Sequence, residues 1–240
     1  MKKYLVLTLM IIIIFSLNFS LKTADINENK LEKNFKELET DFYKGTLSLD
    51  NLEEKSKIFL DNLKNKKDNY LKFYYKAKTN LLLGEISEFQ NKKEKAVGYY
   101  ETAKRNAETA LELKKNSDTY NLTGEIYIRL LNKKGAFFAI RNGQKTFDLI
   151  NKAIKLDEKN YSAYNSLALI YFQAPKVGGG DINKSEKYFK KALDSDSKIE
   201  NFISTYYLSK IYEKKDNKNL RKNYSEKAEK IFPDSYFFGK

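Results

Sequence analysis

The sequence predicts an all-α protein assembled from stacked helical hairpins. Three observations carry that prediction. Chain breakers are scarce, with ten Gly and two Pro in 240 residues, whereas β-rich and low-complexity chains need many more. Apolar residues recur three and four apart, and no stretch sustains a period of two. A pattern of small and bulky residues also repeats, its small residues at Gly84, Gly124, Ala168 and Ser209 standing 40, 44 and 41 residues apart. Hydrophobic residues at 41%, with 14% aromatics, are enough for a core and argue against wholesale disorder.

Composition also removes whole classes of chemistry. The chain has no Cys and no His. Thiol nucleophiles, disulfides, iron–sulfur clusters and Cys-ligated zinc are excluded. So are His-dependent triads and the commonest transition-metal ligand. Paired carboxylates or a Ser–Lys dyad remain conceivable. Their residues sit in periodic surface contexts, however, and no spacing singles any out. No catalytic residue, cofactor or metal is expected, and the chain reads as a binding protein rather than an enzyme.

Met1-Lys2-Lys3 followed by the apolar run Tyr4 to Leu17 has the form of a secretory signal peptide, with Thr23-Ala24 as a candidate cleavage site. The rival is an uncleaved anchor, because Tyr4 to Leu21 nears the ~20 residues that a bilayer span needs. Either way residues 1–24 are a targeting segment. The remainder is expected to be exported to the periplasm or cell envelope, with membrane contact only through that segment if it is retained. Losing Lys2, Lys3 and Lys22 lowers the net charge from +13 to +10. The remaining cations are almost all Lys interleaved with Glu, as in Glu226-Lys227-Ala228-Glu229-Lys230, which is the pattern of solvated helix faces. Nucleic-acid readers favour Arg, so no nucleic-acid partner is expected.

Residues 25–76 read as a leading helical hairpin. Leu31, Phe35, Leu38 and Phe42 mark an amphipathic helix that Gly45-Thr46 ends. Asp50 with Glu53 has capping-box spacing for the next helix, whose apolar stripe is Leu52, Phe59, Leu60 and Leu63. Residues 77–240 read as four degenerate hairpin units. In the clearest, which starts at Tyr161, Tyr164, Leu167, Ala168 and Tyr171 stand at relative positions 4, 7, 8 and 11, and Phe189 and Ala192 follow on the second helix. Tyr120, Gly124 and Tyr127 hold positions 4, 8 and 11 of the unit before, Leu83 and Gly84 open an earlier one, and Ser209 and Tyr212 belong to the last. This register resembles the tetratricopeptide repeat (TPR), with Tyr in place of Trp at position 4 and units longer than its usual ~34 residues. The resemblance implies a solenoid in which small residues let helices touch and each hairpin needs a neighbour to cover its apolar face.

Two insertions interrupt the units. In Ala174-Pro175-Lys176-Val177-Gly178-Gly179-Gly180-Asp181 the proline stops a helix, the glycines make an enlarged turn and Asp181 caps the next helix. No strand precedes it and no Lys-Ser/Thr follows, so it is no P-loop. This Pro…Gly-Gly-Asp insertion is similar to those of bacterial envelope repeat proteins, including the T component associated with tripartite (TRAP-type) transporters. That similarity implies an alternative function, a transporter-associated periplasmic component binding a small hydrophobic or carboxylated ligand. In Lys133 to Gly143, Phe137, Phe138 and Ile140 are expected to fold over a hairpin edge or meet another chain. Asn142-Gly143 reads as a turn, and Arg141 as the partner of an internal acid in preference to a ligand carboxylate.

The family's concave groove is lined by fixed first-helix positions. Carried over by register, these place Asn121, Glu125, Arg129, Asn165, Ser166, Phe172 and Gln173 as candidate groove residues. Asn121 and Asn165 are equivalent, and Asn amides can hold a peptide backbone. Arg129 alone supplies a nearby cation and is expected to be an exposed contact residue. The resulting expectation is an exported scaffold that binds a protein or peptide partner.

Overall fold

The computed structural model describes residues 28–64 and 66–239; residues 1–24, expected to be a targeting segment, lie outside them. Contacts divide the chain into a unit ending at Glu37 and a second unit, Leu38–Lys240. Residues 28–44 are helical (α1), so residues 28–37 fall in the first unit. The second unit continues through α2 (Leu49–Lys64), α3 (Tyr70–Phe89), α4 (Lys93–Leu113), α5 (Ser117–Lys133), α6 (Ala136–Leu156), α7 (Tyr161–Gln173), α8 (Ile182–Ala192), α9 (Lys198–Lys214) and α10 (Lys218–Ile231). Among the described residues there is no strand, and no helix is long and apolar enough to cross a membrane.

The helix starts follow from short polar side chains that accept orphan backbone N–H groups. Asn69, Asn160, Ser197 and Asn217 cap α3, α7, α9 and α10, and Asn116 with Thr119 forms a reciprocal box on α5. At α2 the cap is Ser48, whose Oγ accepts from Asn51 N at 3.2 Å. Asp50 and Glu53 do other work there: Asp50 accepts from the Gln90 amide at 2.8 Å, and Glu53 pairs with Lys57 and Lys95 at 2.6 and 2.7 Å.

Four antiparallel hairpins, α3–α4, α5–α6, α7–α8 and α9–α10, pair most extensively, and α3, α5, α7 and α9 also meet one another. The small residues sit where a hairpin's helices cross. A Cβ on Gly84 would lie 2.2 Å from the Tyr100 ring, and one on Gly124 would lie 2.4 Å from Ile150 Cδ1. Tyr100, Ile150 and Ala168 are fully buried. Around these crossings Ala77, Ala96, Ala103 and Ala107 join Leu122, Ile126 and Leu130 in one core layer, while Ala168, Phe189, Leu208 and Ile211 form another. A recurrent polar clamp binds neighbouring hairpins. The position-11 Tyr127 donates to Glu108 of α4 at 2.7 Å, and its equivalent Tyr212 donates to Glu186 of α8 at 2.6 Å.

The two insertions behave differently. Residues 174–181 make the enlarged turn that the sequence predicts, with a short 3₁₀ turn at Lys176–Gly178 and Asp181 Oδ1 accepting from Asn183 N and Lys184 N at 2.9 and 3.0 Å. Asn142-Gly143, in contrast, is no turn. It lies inside α6, because Gly135, at φ +81°, reverses the chain earlier, and the Asn142 amide bonds back to Phe138 O at 2.9 Å. Phe138 stacks on Tyr127 at 6.3 Å between ring centres, but Phe137 and Ile140 do not fold over the edge and remain 80% and 84% exposed. Arg141 is exposed and has no ion pair with a described residue, so the expected internal acid is not beside it.

Beyond α10 the chain returns across the second unit. Phe237 stacks on Tyr43 at 5.6 Å between ring centres and meets Phe42, Phe89, Phe202 and Tyr206 edge-on at 5.1 to 6.2 Å. The Asp234 carbonyl lies where a Cβ on Gly45 would stand, 2.0 Å away. The tail thereby joins residues 42–45 and α3 to α9, all within the second unit.

The close crossing of helices gives a direct test. Gly84→Ala forces the buried Tyr100 ring to shift and is expected to cost about 1–3 kcal/mol. Gly98→Ala on α4 meets nothing within 4 Å and is expected to stabilise by about 0.5–1 kcal/mol through helix propensity. Thermal unfolding of the two variants distinguishes the effects; equal shifts in melting temperature would place the helix contact elsewhere.

Candidate functional site

The inner helices α3, α5, α7 and α9 run parallel, because each one's register is tied to the next. Lys133 at the end of α5 pairs with Glu88 of α3 at 3.1 Å. Asn132 donates to Gln173 at the end of α7 at 2.6 Å, and Lys214 of α9 stands 3.8 Å over the Phe172 ring. At the opposite end Asn160 donates to Ser117 at 2.8 Å, and Asn121 donates to Ser162 at 3.1 Å. The candidate groove residues therefore do come together on one face.

Their state differs from the sequence expectation. Arg129 is not an exposed contact residue. It forms a short ion pair with Glu85 and lies 3.8 Å from Glu125, and its side chain is only 19% exposed. Removing it would strand the buried Glu85 carboxylate, a loss that typically costs about 3–5 kcal/mol. Asn121 and Asn165 are buried at 6% and 3% exposure and work between helices. Asn165 Nδ2 donates to Glu200 Oε2 at 2.7 Å, and its Oδ1 accepts from Ser204 at 2.7 Å. Ser166 is likewise buried. Glu125, Phe172 and Gln173 remain partly open to solvent.

Sequence reasoning missed the acids opposite these residues. Lys78 stands 3.4 Å from Glu39, so Glu39, Glu85, Glu125 and Glu200 share the inner face with Lys78 and Arg129. One signal was available: Glu85 and Arg129 occupy groove positions 9 and 13 of consecutive units, which stacking makes neighbours. Burial pushes the Glu85 carboxyl up to about 7 against the pull of Arg129. Burial also pushes Glu200 up to about 7, opposed by the Asn165 amide and reinforced by Glu125 and Glu39. Among the described residues these carboxylates do not converge into a three-ligand metal cluster. They line this face with hydrogen-bond acceptors.

The stacked hairpins, their position-8 contacts and their parallel inner helices define a TPR-like helical-repeat protein. The chain belongs to the family described as "Protein of unknown function (DUF851)", whose profile matches residues 16–138. It is 27% identical over 172 residues to the TPR repeat-containing protein MJ1428 of Methanocaldococcus jannaschii. That match covers 71% of this chain, which spans only 25% of the relative's length. Among solved structures it is similar to MamA, with a TM-score of 0.41 and 18% identity over 76% of this chain and 88% of MamA. It is also similar to YrrB, a TPR protein with an unusual peptide-binding site, with a TM-score of 0.40 and 16% identity over 90% of this chain and 94% of YrrB.

The Glu200 carboxyl has a pH signature. Its folded-state value is about 7 against an ordinary 4.5, so between those values the folded protein holds a proton that the unfolded chain releases. Stability therefore falls as the pH rises through that window. Glu200→Gln keeps an acceptor for Asn165 and removes the titration. Denaturant unfolding from pH 5 to 7.5 is expected to show a smaller decline for the variant, a difference on the order of 1–3 kcal/mol at the upper end. Parallel pH profiles would contradict the assignment.

Proposed function

We propose that this chain is an exported scaffold whose inner helical face binds a segment of a partner protein. The supporting observation is the residue set left partly open along α5 and α7. Glu125, Phe172 and Gln173 combine a carboxyl group, an aromatic ring and an amide on adjacent parallel helices. A surface meant only to close the stack would be more apolar. Asn121, Asn165 and Ser166 lie in the same face, and the two Asn side chains fix its helices through hydrogen bonds. Glu125 and Glu200 set acceptors on this face beside Lys78 and Arg129 and favour a segment that carries hydrogen-bond donors. Export rests on the basic start and the apolar run Tyr4 to Leu17, and the sequence supports no enzymatic alternative.

The test is site-specific photo-crosslinking of the full-length chain in its producing cells. A benzophenone side chain at Gln173 reports on the inner face, and one at Lys187, exposed on α8, reports on the outer face. The expected outcome is a discrete protein adduct at position 173 alone, recovered from the exported fraction. No adduct at position 173, or identical adducts at both positions, would contradict an inner-face scaffold.

A further inference from the structure

The three most exposed large apolar side chains among the described residues share one rim. They are Phe137 at 80%, Ile140 at 84% and Val177 at 100% exposure. Phe137 and Ile140 open α6, and Val177 tips the enlarged turn between α7 and α8. The Glu88–Lys133, Asn132–Gln173 and Phe172–Lys214 contacts place the ends of α3, α5, α7 and α9 side by side. The turns within the hairpins therefore lie on one edge of the stack. Leu220, at the start of α10, adds a fourth exposed apolar residue at 37%.

This rim is also basic. Lys92, Lys93, Arg141, Lys176, Lys184 and Lys218 are exposed there, and none has an ion pair with a described residue. Acids on this rim, Glu94, Asp181 and Asp216, are fewer than its cations, whereas the turns after α6 and α8 on the opposite rim mix Asp157, Glu158, Asp194 and Asp196 with Lys159 and Lys198. Exposed apolar tips set among unpaired cations are costly in water. They are complementary to an interface that offers negative headgroups above a hydrocarbon layer. A soluble polyanion would use the cations and leave Phe137, Ile140 and Val177 in water. A second copy docking through the same rim would bring like charge to like charge.

We propose that the rim bearing Phe137, Ile140 and Val177 docks on an anionic lipid surface, its apolar tips inserted and its Lys and Arg side chains at the headgroups. This surface borders the inner face at Phe172 and Gln173 but does not depend on the partner proposed for that face. Membrane contact then extends beyond the N-terminal segment.

The absence of Cys permits a direct test in the full-length chain. Single cysteines at Ile140, Val177 and, on the opposite rim, Leu156 are labelled with a polarity-sensitive fluorophore. Each position is already exposed, and circular dichroism verifies the fold. The probes are vesicles of phosphatidylcholine alone and vesicles that also contain phosphatidylglycerol. Labels at 140 and 177 are expected to brighten and shift to the blue with the anionic vesicles only, while the label at 156 stays unchanged. Because it is read by position, this holds even where the N-terminal segment tethers the chain to both vesicle types. Lys176→Glu with Lys184→Glu is expected to weaken the response at least about fivefold, since each cation near an anionic surface contributes appreciably. No response at 140 and 177, or an equal response at 156, would overturn the proposal. So would a response to heparin without one to vesicles, which would assign the rim to a soluble polyanion. A response to rising protein concentration alone would assign it to self-association.

Discussion

Phe237 is the contact on which the arrangement of the second unit depends. One ring touches Tyr43 and Phe42 of α1, Phe89 of α3 and Phe202 and Tyr206 of α9. Hairpin stacking alone is a nearest-neighbour affair and leaves the ends of a solenoid independent. Here a segment beyond the last hairpin carries aromatic surface back to the first inner helices, and Tyr43 also meets Phe202 at 6.0 Å between ring centres. Aromatic pairs contribute about 0.5–1.5 kcal/mol each beyond the area they bury, so several converging on one ring make a strong link. Its consequence is electrostatic. With residues 38–44 and α9 held together, Glu39, Lys78, Glu85, Glu125, Arg129 and Glu200 are drawn out of bulk water, which is why burial raises the Glu85 and Glu200 carboxyls.

The hairpin repeat was legible in the sequence because its cause is local. Position 8 must be small where two helices cross, and Gly84, Gly124 and Ala168 announce this however much the rest has drifted. The turn at residues 174–181 was legible for the same reason, since Pro175, the glycines and Asp181 each act on their immediate neighbours. The inner face was legible only in part. Register says which side chains point inward but not what stands across from them, and Arg129 meets Glu85 over 44 residues of sequence. The exposed state expected of Arg129 failed on that contact, and the free amides expected of Asn121 and Asn165 failed on Ser162, Ser204 and Glu200. The Asn142-Gly143 turn failed because a positive-φ glycine at 135 had already reversed the chain. The aromatic tail carried no periodic signal at all, since Phe237 belongs to no repeat.

Two surfaces of different chemistry emerge. The inner face is acidic and hydrogen-bonded, and it is ordered by contacts between helices that the repeat brings into parallel. The rim formed by the turns within the hairpins is basic and tipped with apolar side chains that no described residue covers. Insertions built the second surface: the long α6 lifts Phe137 and Ile140 clear of the stack, and the enlarged turn does the same for Val177. A degenerate repeat of this kind keeps its packing positions and varies its edges, so its edges can acquire a role that the repeat itself does not specify.

The central claim is that the Phe237 contact, rather than hairpin stacking alone, holds residues 38–44 and α9 together and thereby buries the inner face. Amide hydrogen exchange of the full-length chain against Phe237→Ala measures this directly, because exchange reports the opening of individual elements. Protection is predicted to fall in residues 38–44 and in the first half of α9, while α5 and α6, packed by their own hairpin core, keep theirs. Unchanged protection at 38–44 and in α9, or a uniform loss across every helix, would contradict the account.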